Sequence, residues 1–273
     1  MKKWIRNGIF YVILISHLLI TGYPFIWMFI SSFKTNKEYY GDPWGLPAEW
    51  QLENFVKAWN EGINDFLFNS TYITFFSVLG TLFVATLVSF YLARRPFKGS
   101  GWLLGFFLLA MLIPVQSTLI PLYVMITNLG LYDTFWALFF PYIGFGMPVA
   151  VFLIYGFFKQ LPGEMEEAAM MDGCTIYGVF WRIFLPLSKP ILATVTILSA
   201  FSIWNEFVFP LVMISSDSLK PLPLGLMKFR GNFSAEYGTM SASLVISTLP
   251  IIVLYLFLQK HITKGVAAGA VKG

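Results

Sequence analysis

In this 273-residue chain, few residues have the side chains and the spacing that catalysis or metal binding requires. The single cysteine, Cys174, excludes an internal disulfide and any cysteine-based metal site. The two histidines, His17 and His261, lie far apart in the sequence, which argues against a metal site. The sequence contains no paired catalytic constellation and no Gly-x-x-x-x-Gly-Lys-Ser/Thr phosphate loop. We therefore expect neither an enzyme nor a chain that hydrolyses ATP itself.

The tripeptide Trp204-Asn205-Glu206 is the strongest candidate for binding a ligand. Glu206 is the one formally charged residue within an otherwise apolar stretch, where an ionisable group is costly unless it is paired or functional. Asn205 adds a hydrogen-bonding amide and Trp204 a flat ring, and such sets bind the hydroxyls and the C–H face of a sugar. The alternative is that Glu206 and Asn205 hydrogen-bond neighbouring helices and hold them together.

Two further polar residues are candidates for lining the same path. Gln116 lies between Pro114 and Pro121, where interrupted helix hydrogen bonds free carbonyls that could face a cavity, although a simple kinked helix is the alternative. Asn69 is expected near the outer mouth, where capping a helix is the favoured alternative. The candidate path thus comprises Trp204, Asn205, Glu206, Gln116 and Asn69.

The segment 159–189 predicts two short helices around a glycine. Pro162 suits a helix start, and three glutamates follow in the first turns, where acidic groups suit the positive helix end. Asp172-Gly173 ends this helix, because glycine adopts the left-handed conformation that other residues avoid. Apolar residues then recur at helical spacing up to Leu185-Pro186. Such a pair either docks in a groove of a partner protein or lies at the membrane surface.

The composition identifies the kind of chain that carries these groups. It is 57% hydrophobic and 12% charged, with a mean hydropathy of +0.71. Soluble domains carry about 25% charged residues, so we exclude a soluble enzyme and a nucleic-acid-binding domain. The formal charge of +4 is typical of a membrane protein with basic residues at its cytoplasmic face.

Six apolar stretches are long enough to cross a bilayer, which needs about 20 residues per helix. They are 7–33, 66–93, 99–132, 134–158, 190–216 and 237–259. The first is too long for a secretory signal and lacks a cleavage site, so we interpret it as a retained anchor. Because alternation at barrel period is absent, the predicted fold is an all-α membrane protein with six transmembrane helices.

The basic residues predict the orientation of these spans. Of the 18 Lys and Arg residues, twelve fall in one set of alternate loops and six in the other, so the richer set, with both termini, is cytoplasmic. Segment 34–65 then faces outside and 159–189 faces the cytoplasm, between the fourth and fifth spans. The expected organisation is an anchor span with an external loop over 1–65, a transmembrane core over 66–260 and a cytoplasmic tail over 261–273.

The predicted cytoplasmic segment resembles a known loop. Glu167-Ala168-Ala169, Gly173, Ile183 and Leu185-Pro186 stand at the spacing of the Glu-Ala-Ala loop of bacterial ABC importer permeases of the type I, binding-protein-dependent class. In that family the loop forms a coupling helix that sits in a cleft of the ATPase subunit and transmits its closure. The resemblance thus implies an ATPase-coupling loop. It comprises Glu166, Glu167, Ala168, Ala169, Asp172, Gly173, Ile183, Leu185 and Pro186.

Other motifs in chain order are similar to the smaller permease of maltose-type and multiple-sugar importers. They are Phe25-Ile26-Trp27-Met28, Ser32-Phe33-Lys34-Thr35, Glu53-Asn54-Phe55, Phe68-Asn69-Ser70, Pro121-Leu122-Tyr123 and Trp204-Asn205-Glu206-Phe207.

The resemblance implies a sugar permease in the bacterial inner membrane that works by alternating access. It implies a second homologous permease, two ATP-binding subunits that use ATP and Mg, and an external solute-binding protein. No cofactor in this chain and no nucleic-acid partner is expected. The alternative is an ion-coupled secondary transporter, against which the small number of intramembrane ionisable residues argues.

Overall fold

The computed structural model describes residues 2–232 and 236–270, with side chains over 7–227 and 236–259. All regular structure in these ranges is helical, as predicted. The helices are α1 (Lys2–Ser31), α2 (Asn36–Gly41), α3 (Glu53–Ala58), α4 (Asn64–Arg94), α5 (Ser100–Ala110), α6 (Leu119–Asn128), α7 (Trp136–Gln160), α8 (Glu164–Met171), α9 (Ile176–Val179), α10 (Leu185–Leu187), α11 (Lys189–Trp204), α12 (Val208–Met213), α13 (Leu222–Asn232) and α14 (Tyr237–Ala270). Shorter 3₁₀ or π turns occupy Trp59–Ile63, Val115–Thr118, Phe180–Phe184 and Asp217–Leu219.

Between four and six of these elements can cross a membrane. Within the described residues, four helices are long and apolar enough alone, at Asn7–Ser31, Glu53–Arg94, Trp136–Gln160 and Tyr237–Gln259. Two bent pairs raise the number to six if each pair forms one span. One pair, Ser100–Ala110 with Val115–Asn128, is the predicted third span. The other joins Ile176–Leu187, in the segment predicted to be cytoplasmic, to Lys189–Trp204 at an angle of 70°.

The third span is broken rather than merely kinked. Helices α5 and α6 meet at an angle of 100° around the 3₁₀ turn Val115–Thr118. Pro114 precedes this turn with extended backbone and has no amide hydrogen to continue the ladder of α5. Its carbonyl is not left free, because the amide of Ser117 donates to it at 3.0 Å and the hydroxyl of Ser117 at 2.7 Å.

The fifth span is not the continuous helix predicted over 190–216. Helix α11 stops at Trp204 after 16 residues, which rise about 24 Å, short of the ~30 Å hydrocarbon core. The side-chain amide of Asn205 donates a hydrogen bond to the carbonyl of Phe201 at 2.8 Å. The chain then restarts as α12, whose first amides bond to the carboxylate of Glu206. The polar pair expected inside a helix therefore forms the joint between two helices.

The chain divides into two compact units, and the first comprises Met1–Leu67 with Gly225–Leu249. In it, Thr35 and Glu38 form a reciprocal capping box at the start of α2. The buried Lys34 ammonium donates to the carbonyls of Asp42 at 2.7 Å and Pro43 at 3.1 Å. The predicted external segment is thus held in a defined conformation by its own polar contacts.

The second unit comprises Phe68–Leu224 with Pro250–Gly273 and carries both candidate sites. Helices α4 and α7 approach closely, since a side chain on Gly146 would meet Thr81 at 3.1 Å. The hydroxyl of Ser89 also donates to the carbonyl of Val151 at 3.2 Å. Small residues at a helix interface are typical of membrane bundles, and this contact gives the unit a rigid centre.

Candidate functional site

Helix α8 begins and ends as the sequence predicts. It starts at Glu164, two residues after Pro162, with the expected glutamates in its first turn. Gly173 has a φ of +81°, and its amide donates to Met170 at 3.0 Å. The amide of Cys174 donates to Ala169 at 2.9 Å. These two bonds form a Schellman motif, which fixes the end of the helix at Asp172.

The two faces of α8 differ in exposure. Glu166 and Ala169 are 7% and 8% exposed and point into the protein. Glu167 and Ala168 lie on the surface, together with Met171, which is 88% exposed. Met165 and Met170 of the same helix are exposed as well, at 37% and 44%, and a group of exposed apolar side chains is typical of a surface that another protein covers.

The second short helix of the loop is continuous with a π turn. The hydroxyl of Thr175 caps α9 by accepting from the amide of Gly178 at 3.3 Å. The chain then runs through Phe180–Phe184 into α10, which ends at Leu187, one residue beyond Pro186. Ile183 is half-buried against the apolar core, whereas Pro186 is exposed.

Two arginines at the end of α4 hold this loop. Nη2 of Arg95 lies 2.7 Å from Oε1 of Glu166 and also contacts the sulfur of Met170 at 3.3 Å. Arg94 donates to the carbonyl of Leu161, and its guanidinium lies 4.8 Å from the centre of the Phe184 ring. Sequence reasoning counted these arginines only as markers of orientation. The sequence feature that could have predicted these contacts was the positive charge of the two arginines, opposite to that of the glutamates in the next loop predicted to be cytoplasmic.

Four phenylalanines form the core beneath the loop. The ring of Phe90 on α4 lies 5.1 Å from both Phe180 and Phe184, and Phe158 on α7 lies 5.5 Å from Phe184. All four are at most 5% exposed. The loop is thus packed directly against α4 and α7, and α7 also lines the second site.

That second site is a cavity of ≈ 250 Å³ in the same unit. It brings together two residues predicted for the substrate path, Gln116 and Glu206. The described residues that line it are Val115, Gln116, Tyr142, Phe145, Gly146, Ser199, Ser202, Ile203, Glu206 and Phe209. Among the described side chains, no group of three or more His, Cys, Asp or Glu is placed to hold a metal ion.

Glu206 has a structural contact as well as a place in the cavity. Its Oε1 atom accepts hydrogen bonds from the amides of Val208 at 2.8 Å and Phe209 at 3.1 Å. These amides open α12 and have no partner within that helix, so the carboxylate caps it. The sequence predicted either ligand binding or contacts with neighbouring helices for Glu206. It did not predict this cap, which depends on the break after Trp204.

The other three predicted path residues lie elsewhere. Trp204 is 7% exposed and lines a separate apolar groove of ≈ 430 Å³ beside α4 and α14. Asn205 bonds to its own helix. Asn69 donates to the carbonyls of Ser218 at 2.8 Å and Lys220 at 3.1 Å, so it fixes a loop and does not cap α4, which already begins at Asn64.

The same loop is held from its other side by Asp133. Oδ1 of Asp133 accepts from the amides of Ser215 and Ser216, each at 2.9 Å, and Oδ2 accepts from the Ser216 hydroxyl. The hydrogen bonds from Ser216 lower the pKa of Asp133 below its ordinary value of 3.8. The backbone of Asp133 has a φ of +55°, a conformation that a short polar residue tolerates. Nothing in the sequence marked this residue.

A solved structure shares this arrangement of helices. It is the crystal structure of a bacterial ABC transporter involved in the import of the acidic polysaccharide alginate. One chain of it matches 96% of this chain over 98% of its own length, with a TM-score of 0.83 and 23% sequence identity. At that identity the likeness establishes the fold.

Sequence comparisons establish the family. The chain is 42% identical to the ABC transporter permease protein YurM of Bacillus subtilis over 273 residues, which cover 100% of this chain and 91% of that protein. It is 33% identical to the trehalose/maltose transport system permease protein MalG of Thermococcus litoralis, with 93% of each chain covered. The model of a family described as "binding-protein-dependent transport system inner membrane component" matches residues 85–268. The chain therefore belongs to this family and is a permease subunit of an ABC transporter in the inner membrane.

Proposed function

We propose that this chain is the smaller permease of an ATP-driven sugar importer and forms half of the translocation pathway with a second homologous permease. The sugar assignment is supported by the likeness to a trehalose/maltose permease and by the mixed polar and aromatic cavity. The proposed topology has six spans with both termini in the cytoplasm. It is supported by the twelve-to-six distribution of basic residues, by the four long apolar helices and by the bent pair of α5 and α6.

In this proposal α8 is the coupling helix that docks in a cleft of an ATP-binding subunit. Two such subunits bind ATP and Mg, and their closure displaces α8. The Arg95–Glu166 ion pair and the phenylalanine core then carry the displacement to α4 and α7. The two permeases rock from inward-open to outward-open while an external solute-binding protein delivers the sugar.

The observation that carries the proposal is the surface of α8. Its inner face is fixed by Arg95, while Ala168 and the 88% exposed Met171 remain uncovered on its outer face. A helix that packs against its own chain on one face and is exposed on the other can bind in a groove of a partner protein.

Co-purification from the native membrane tests the proposal. A chain tagged at its C-terminus should bring with it an ATPase and a second permease, and Gly173→Pro should abolish recovery of the ATPase. Proline cannot adopt the φ of +81° and removes the amide that closes α8. Glu167→Lys, which reverses a charge on the outer face, should weaken the same recovery.

Gly130→Pro is the matched control. Gly130 also has a positive φ, of +69°, and its amide bonds to Thr127 at 3.0 Å, so the backbone change is equivalent but lies outside the loop. The Gly130→Pro chain should still co-purify with the ATPase. A chain that purifies alone and moves solute in vesicles without ATP would instead establish the secondary transporter.

A further inference from the structure

Three polar residues of the fifth predicted span line the cavity. Ser199 and Ser202 are three residues apart on α11, the spacing that places side chains on one helical face, and Glu206 follows in the break after that helix. Gln116 faces them from the turn that breaks the third span. Within the described residues, the hydrogen bonds of the Glu206 carboxylate engage only Oε1. Its second oxygen, Oε2, is therefore available to a ligand.

Aromatic rings complete the lining. Phe145 and Phe209 are stacked with their centres 5.3 Å apart, and Tyr142 lies beside them. A ring face next to hydroxyl and amide groups suits a sugar, which has an apolar C–H face and a polar rim. Pockets for whole drug-sized ligands measure roughly 300–1,000 Å³, so a cavity of ≈ 250 Å³ suits a single sugar unit.

The described lining of the cavity carries negative charge and no positive charge. The ten described residues around the cavity include one carboxylate, that of Glu206, and no lysine or arginine. A second carboxylate brought into this space would meet a like charge, and the described lining offers no cation to compensate it. Hydroxyl groups, in contrast, can donate to Oε2 and accept from Gln116.

We propose that this cavity is a subsite for one uncharged sugar unit and that Glu206 is its specificity-determining residue, which rejects sugar acids. The inference rests on the proposed function and adds the substrate class to it. Selection against uronate units thus occurs inside this permease, after delivery of the substrate from outside.

The single cysteine of the chain allows a direct measurement of the charge. In the assembled complex, Ser202→Cys combined with Cys174→Ala places one thiol in the cavity. We expect a cationic methanethiosulfonate to react with it faster than an anionic one of similar size. Glu206→Gln should lower this ratio of rates by about fivefold, since the amide removes the charge. The amide oxygen can still accept from the first amides of α12.

Native Cys174, outside the cavity, is the control site. In chains that keep this cysteine and Ser202, Glu206→Gln should leave the ratio of the two rates unchanged. If Glu206→Gln fails to assemble, the ratio at Ser202→Cys is compared with the ratio for a small free thiol in the same buffer, which measures the effect of the cavity's charge. Equal ratios for the two thiols would overturn the proposal.

Protection from the cationic reagent then tests the ligand. Among neutral trisaccharides (maltotriose, cellotriose and chitotriose), at least one should slow modification of Ser202→Cys, whereas trigalacturonate should not. Protection by trigalacturonate, or by none of these sugars, would refute the subsite. Recovery of the ATPase is scored in the same preparation. A complex that assembles without protection contradicts the subsite alone, whereas a chain without its ATPase contradicts the proposed function.

Discussion

Glu206 combines two roles because one carboxylate has two oxygens. Oε1 accepts hydrogen bonds from the first amides of α12, and Oε2 accepts none from the described residues. A charge in an apolar span is costly, and the cap offsets part of that cost with two charge-assisted hydrogen bonds. The candidate binding residue and the candidate structural residue are therefore the same side chain.

Asp133 provides a prediction at the residue scale. Its pKa is lowered in the folded protein, so its contribution to stability is complete above about pH 4, the unfolded value. That contribution is lost as the pH falls through the lower, folded pKa. Asp133→Asn should therefore reduce thermal stability at pH 7 and reduce its decline below pH 4.

Thermal unfolding of the purified complex at pH 7, 5, 4 and 3 measures this difference. Asp65→Asn serves as control, since Asp65 is an exposed carboxylate that accepts a hydrogen bond from the neighbouring Asn64 side chain. Parallel pH curves for the wild type and Asp133→Asn would show that the hydrogen bonds of Asp133 do not stabilise the fold.

At the scale of elements, the Arg95–Glu166 ion pair joins α4 to α8. Arg95→Glu leaves the buried Glu166 carboxylate unpaired, which costs about 1–3 kcal/mol, and it disconnects α4 from α8, the proposed coupling helix. Sugar transported per ATP hydrolysed should fall about fivefold or more, within the usual range of coupling energies.

The double exchange Arg95→Glu with Glu166→Arg should recover much of this ratio, since it restores the pair with its charges reversed. Glu164→Gln, an exposed change on the same helix, should have no effect. An unchanged transport-to-ATP ratio in Arg95→Glu, measured in proteoliposomes, would show that the pair has no part in coupling.

The elements themselves were largely predictable, because apolar length and helix-end chemistry are local properties. The long spans and the Gly173 break follow from neighbouring residues in the chain. The break after Trp204 was not predicted, since a tryptophan, an amide and one carboxylate do not disrupt an apolar pattern. The hold of Arg95 on Glu166 joins residues 71 positions apart, and a single sequence gives no pairing information over that separation.

For the whole molecule, the main expectation is the direction of insertion. Native Cys174 lies in the loop predicted to be cytoplasmic and is half-buried. A membrane-impermeant maleimide should label it in inside-out vesicles and not in intact cells. Asn60→Cys with Cys174→Ala, which places a thiol at an exposed position of the external segment, should give the opposite result. Labelling of Cys174 in intact cells would show that the topology is the reverse of the predicted one.

The four phenylalanines beneath α8 have a mechanical consequence. Close-packed rings compress very little, and Phe90, Phe158, Phe180 and Phe184 touch without an intervening polar layer. A displacement imposed on α8 therefore reaches α4 and α7 almost undiminished. In the proposed complex, the distance that α8 moves in each cycle is then set by how far the ATPase closes.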